Sequence, residues 1–95
     1  MLGLEKKDIE IIKNILEKYL KNNKVYVFGS RSVGNFKKYS DLDLAIEGEI
    51  KNVLSLKNEL KESLLPIDVD IVLIDEISIE FLDAIKQDFK EFKII

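Results

Sequence analysis

The sequence predicts an α/β fold of the α+β kind, a small mixed sheet of three to four strands with helices packed on it. Three observations predict it. Three stretches repeat apolar residues at steps of three and four, the period of an amphipathic helix. Three short β-branched or alternating runs carry the strand period of two. The two kinds of segment interleave along the chain, which is the pattern of helices layered on a sheet rather than of a bundle or a sandwich.

From Glu5 to Asn22 the apolar positions Ile9, Ile12, Leu16 and Leu20 lie among lysines and glutamates, so this stretch is a first amphipathic helix. Val25 to Phe28 is short, β-branched and aromatic, with "KNNK" before it and Gly29-Ser30 after it, and reads as a strand. A turn or short helix follows. Leu42, Leu44 and Ile46 then alternate with Asp41, Asp43 and Ala45 in a second strand that ends at Gly48 and puts both aspartates on one face. Ile50 to Leu64 carries Val53, Leu56, Leu60 and Leu64 at helical spacing, and Pro66 stops that helix. "IDVDIVLID", Ile67 to Asp75, is a third strand with Val69, Ile71 and Leu73 on one face and Asp68, Asp70 and Val72 on the other. Leu82, Ile85 and Phe89 mark a last helix within Ser78 to Phe89, and the terminal "FKII" reads as a closing strand.

The helix between the second and third strands is long enough for a right-handed crossover, which makes those strands parallel neighbours. An antiparallel pairing of the first and second strands would bring Gly29-Ser30 beside Asp41 and Asp43.

At 95 residues the chain has the length of one small domain, residues 1–95, and its 46% hydrophobic and 35% charged residues suit a packed core under a charged surface. The net charge of −3 and a pI near 5.0 deny it the basic field on which extended DNA or RNA binding depends. There is no cysteine and no histidine, which excludes thiol nucleophiles, thiolate or imidazole metal sites and the commonest general base. Chemistry falls to carboxylates, hydroxyls, lysines and backbone. No apolar run is long enough to span a membrane and the N-terminus turns charged within five residues, so a cytoplasmic location is expected.

The candidate chemistry lies in "VYVFGSRSVGNFKKYSDLDLAIEG" and in Asp70. Asp41 and Asp43 either face water, as polar residues of a half-buried strand do, or hold a metal. Residues two apart on a strand lie about 6.5–7 Å apart on one side, close enough to share an ion. A parallel third strand would bring Asp70 into the same space. Three clustered carboxylates repel one another without cations, and oxygen donors alone select Mg²⁺, or Mn²⁺, over zinc. Gly29 would let backbone N–H groups approach a phosphate, Ser30 offers a hydroxyl, and Arg31 would add a positive fork to the same anion. Asp68 shares the face of Asp70 but stands at a solvated strand start, and it is left out of the site. The helix lysines read as ordinary exposed surface.

Together, Gly29-Ser30, ten intervening residues, Asp41-x-Asp43 and the later strand aspartate Asp70 resemble the nucleotidyltransferase domain of the DNA polymerase beta superfamily. The stretches "GSRSVGNFKKYSDLDLAIEG" and "LPIDVDIVLID" look like the minimal nucleotidyltransferases encoded beside HEPN-domain proteins. The resemblance implies a polymerase beta-like fold, ATP or another nucleoside triphosphate as substrate, and two magnesium ions on Asp41, Asp43 and Asp70. Gly29 and Ser30 would bind the outer phosphates. It further implies an antitoxin that transfers AMP to a tyrosine of a HEPN toxin; the other readings are a purely binding antitoxin and the catalytic subunit of a small-molecule, antibiotic-type transferase. A homo-oligomer is compatible with either. The family often reads Gly-Ser-Arg-Ala-Arg-Gly where this chain has Val33 in place of the second arginine.

Overall fold

The computed structural model describes residues 2–94. Its first helix, α1 (Lys6–Tyr19), buries Ile9, Ile12, Ile15 and Leu16 along one stripe. Then come β1 (Val25–Phe28), the short α2 (Ser30–Val33), β2 (Leu42–Ile46), α3 (Val53–Lys61), β3 (Val69–Leu73), a 3-10 turn at Ile74–Glu76, α4 (Ile79–Lys86) and β4 (Lys90–Glu91). Side chains start two of the helices: Asn52 accepts the Ser55 N–H at 3.3 Å before α3, and Ser78 accepts the Phe81 N–H at 3.1 Å before α4. α3 stops at Lys61, short of the expected Leu64. The Ser63 hydroxyl donates to the Leu60 carbonyl at 2.6 Å and tightens the last turn, which leaves Leu64 91% exposed.

The sheet order is β3-β2-β1-β4. β1 runs antiparallel to β2 with Phe28 opposite Asp43, and β2 runs parallel to β3 with Asp43 opposite Asp70. α3 is the crossover between the parallel pair, as its length requires. The closing strand lies at Lys90–Glu91, just ahead of the expected "FKII", because the antiparallel register sets Tyr26 against Glu91 and Val27 against Lys90. Phe92 continues that edge by donating its N–H to the Val25 carbonyl at 2.7 Å. Ile95 lies outside the described residues.

α1 and α3 cover one face of the sheet, burying Val25, Val27, Leu42, Leu44, Ile46 and Ile71 against Ile12, Leu16, Leu56 and Leu60. α4 covers part of the other face, where Phe28, Ala45 and Ile85 meet Val72 and Phe89, and Tyr26 stacks on Phe89 with ring centroids 4.7 Å apart. Leu42, Leu44 and Ile46 are wholly buried, and each contributes about 1.5–3 kcal/mol by leaving water. Slipping β2 by one residue would exchange them for Asp41, Asp43 and Ala45, so the register that positions the aspartates is fixed by the core. None of the described helices is long and apolar enough to cross a membrane.

Candidate active site

The carboxyl end of β1 and the amino ends of β2 and β3 meet at one margin of the sheet, on the face that α4 only partly covers. β1 ends in Gly29, whose φ of 75° and ψ of −158° belong to a region open essentially to glycine alone. A side chain there would be strained, and its Cβ would strike the Oδ2 of Asp43. Gly29 thus lets the chain pass directly against the Asp43 carboxylate. It also caps α2, accepting the N–H groups of Ser32 and Val33 at 3.1 and 3.2 Å. The amides of Ser30 and Arg31, first in the helix, have no preceding turn to bond to.

Asp43 is half-buried and faces Asp70 across the parallel ladder. Asp41 stands just before β2, exposed, on the same side. Burial pushes the Asp43 carboxyl above its ordinary value, and the charges of Asp70 and Asp41 push it further. Asp70 is raised as well, first by burial, then by the charges of Asp41 and Asp68, while Lys57 pulls it down. The fold has therefore gathered like charges that oppose one another's ionisation. Asp41, Asp43 and Asp70 are brought to one margin as the sequence reading expected. They are not closed into a cage: among the described residues no three acidic side chains stand ready around a common ion.

Arg31 is placed otherwise than expected. Its side chain is 2% exposed, and the guanidinium donates to the carbonyls of Ser40 at 2.9 Å, Leu2 at 3.0 Å and Lys38 at 3.0 Å, with Lys37 at 3.5 Å. The ring of Phe36 lies 5.0 Å from its carbon. With its fork bound to these carbonyls, Arg31 cannot offer it to a phosphate; it ties down the loop that leads into Asp41. A fork of donors is what several carbonyls of one loop require, and a lone arginine among fourteen lysines is the only sequence sign of it.

The structure also brings in residues that the sequence left as surface. Lys57 and Lys61, one turn apart on α3, line a groove of about 370 Å³ with Asp68, Val69, Asp70 and Ile71. Their four-residue spacing was visible, but only the crossover shows that this side of α3 overlooks Asp70. A larger hollow of about 570 Å³, between Glu17 to Val25 and Glu91 to Ile94, lies at the opposite margin and holds none of the three aspartates. The chemistry follows the carboxylates, not the larger hollow.

Residues 10–92 match the family described as Polymerase beta, Nucleotidyltransferase. The chain is also 36% identical over 90 residues to a protein of Haemophilus influenzae named as the probable protein adenylyltransferase MntA, covering 90% of this chain and 79% of that one. A matched sheet, a Gly-Ser turn against an Asp-x-Asp strand and a third aspartate on the parallel neighbour all agree with that likeness: the chain belongs to the polymerase beta nucleotidyltransferase family and is a nucleotidyltransferase of its minimal kind.

Proposed function

We propose that the chain transfers AMP from ATP to a hydroxyl of a partner protein, a tyrosine of a HEPN toxin, and acts as that toxin's antitoxin. The observation that carries the chemistry is the parallel register that sets Asp43 opposite Asp70 with Gly29 against the Asp43 carboxylate. The adenylyltransferase name of the Haemophilus relative supports the nucleotide and the protein acceptor.

Asp41, Asp43 and Asp70 are the residues that would hold magnesium. The fit is one of donor chemistry: all-oxygen donors, with the Asp43 and Asp70 carboxyls raised first by burial and then by neighbouring carboxylate charges that a cation would offset. Bound magnesium supplies charge neutralisation for the triphosphate and a more acidic acceptor hydroxyl. The amides of Ser30 and Arg31 and the Ser30 hydroxyl bind the outer phosphates beside Gly29. The acceptor oxygen attacks the α-phosphorus, the bond from that phosphorus to the pyrophosphate oxygen breaks, and pyrophosphate leaves as the phosphate ester forms. The proton passes to Asp70 or to solvent, since the chain has no histidine to take it.

The test is to incubate the chain with ATP, Mg²⁺ and the product of the neighbouring gene and to locate added AMP by tandem mass spectrometry. An adduct on a toxin hydroxyl supports the proposal. Adducts on small molecules alone would assign an antibiotic-type activity, and toxin inhibition by a variant lacking all three aspartates, without any adduct, would assign a binding antitoxin.

A further inference from the structure

We propose that Phe36 and Gly3, acting through Arg31, are positioning residues for Asp41: they seat the guanidinium that fixes the peptide bond leading into that aspartate. The consequence for cation binding rests on the reading of Asp41, Asp43 and Asp70 as the ligands.

Asp41 needs a hold that the sheet does not give. The β1–β2 register ends with Phe28 opposite Asp43 and the β2–β3 register with Leu42 opposite Val69, so among the described residues Asp41 lies beyond both ladders, and it is exposed. On its C-terminal side the chain is fixed, because the Leu42 N–H donates to the Asp68 carbonyl at 3.0 Å. On its N-terminal side the fixed group is the Ser40 carbonyl, which accepts the Arg31 Nε–H at 2.9 Å. A peptide unit is planar, so holding that oxygen also sets the direction in which the Asp41 nitrogen and Cα leave the loop. The loop itself is a closed turn: the Ser40 N–H donates to the Lys37 carbonyl at 3.1 Å, and the Lys37 N–H to the Ser40 hydroxyl at 2.8 Å. Arg31 grips this turn again at the Lys38 carbonyl, at 3.0 Å.

The segment ahead of α1 holds Arg31 in turn. Leu4 anchors that segment in the core. Leu2 and Gly3 adopt φ of 57° and 72°, a left-handed region that leucine rarely enters, and the Leu2 carbonyl accepts from the guanidinium at 3.0 Å. Phe36 lies between the two. Its ring centroid is 5.0 Å from the guanidinium carbon, and the same ring packs on Gly3, where a Cβ would strike its Cε2 and Cζ. The bare glycine therefore keeps the ring against the guanidinium, where it shields the cation from water. A non-glycine residue persists at positive φ where its surroundings over-determine it. Around Leu2 those surroundings are Arg31 and Phe36, the two side chains that lead to Asp41.

The test uses the whole chain and needs no acceptor. In chelator, backbone NMR relaxation should give wild-type Asp41 an order parameter of about 0.85, and Phe36→Ala and Gly3→Ala should each lower it below about 0.6 while leaving Leu44 unchanged. Paramagnetic resonance with Mn²⁺ as the probe should show each variant binding about tenfold more weakly than wild type, as when a group that orients a ligand is removed. Gly3→Ala in the Phe36→Ala background should add little to that loss, because its Cβ then meets no ring. Val25→Ala, a core truncation at the opposite margin, lowers stability and should leave both readings unmoved. Unchanged Asp41 order in Phe36→Ala, additive losses in the double variant, or an equal loss in Val25→Ala would overturn the proposal, the last by showing general loosening. A wild type that binds no Mn²⁺ counts against the reading of the carboxylates as ligands alone, since the order parameters decide the positioning role without any metal.

Discussion

Replacing Asp43 by asparagine should make the metal-free protein more stable while abolishing transfer. The substitution keeps the shape of the side chain and removes one charge. Asp43 faces Asp70 across strands about 4.8 Å apart, so their carboxylate heads lie about 6 Å apart. Two unit charges at that separation repel by about 0.7 kcal/mol in water and about 2.8 kcal/mol at an effective dielectric of about 20. Both groups keep contact with solvent, which favours the lower end, and Asp41 adds a smaller repulsion from farther along the strand. A gain of about 1 kcal/mol follows, or about 4–8 °C in Tm for a chain of this size. The pH dependence has a definite sign. The carboxyls of Asp43 and Asp70 are raised in the folded state above an ordinary value of 3.8, so wild-type stability is fullest below that value and falls as pH rises through the raised values. The advantage of the asparagine variant should therefore be present at pH 7 and fade toward pH 3.5. Urea unfolding in chelator at both pH values measures it. A variant less stable than wild type at pH 7, or a gain that is undiminished in acid, would refute the reasoning.

Gly29→Ala should cost about 1–3 kcal/mol from its backbone conformation alone and should lower transfer further by displacing Asp43, read by thermal melts beside initial rates. Arg31→Met should destabilise by about 3–5 kcal/mol, because several buried carbonyls lose charged donors, and Arg31→Lys should restore only part of the loss; equal stability of all three by urea unfolding would show that the loop does not need the clamp. Calorimetry should find that ATP and Mg²⁺ bind together and more weakly apart, since triphosphate and carboxylates repel until cations bridge them; equal ATP affinity in chelator and in magnesium would remove the metal site. Asp68→Asn should leave the transfer rate within a few-fold of wild type, and a dead variant would mean the wrong carboxylates have been assigned.

Much of this fold can be read from periodicity. The β1 bounds follow from a β-branched and aromatic run between KNNK and Gly29-Ser30, and the crossover and the parallel β2–β3 pair follow from apolar spacing and helix length. Element ends were harder, because they depend on local bonds such as the Ser63 hydroxyl on Leu60 and not on the apolar pattern. Asp41, Asp43 and Asp70 could be placed at one sheet margin because strand period and crossover fix both face and neighbour. Arg31 departs from the sequence expectation for a reason of the same kind. Sequence shows a cation beside a phosphate-type turn, but whether its fork points outward depends on where the loop carbonyls of Lys37 to Ser40 fall in space. Lys57 escaped notice because only tertiary structure says which neighbour a surface lysine overlooks.

The parallel pairing of β2 with β3 also bears on how the chain acquires its site during folding. β1 and β2 are joined by a short connection and can pair while little else is formed, so Asp41 and Asp43 meet Gly29 early. Asp70 arrives only when α3 has packed and the crossover has closed, a step that carries a greater loop entropy. A chain still emerging from the ribosome holds two aspartates beside a glycine turn but no third carboxylate. The half-made sheet thus exposes the β2 edge before it can perform any transfer, and the repulsion between Asp43 and Asp70 falls on a pairing that follows β1–β2. Cations that relieve that repulsion should speed the docking of β3 as well as hold it, linking the ion supply during synthesis to the yield of complete sheets.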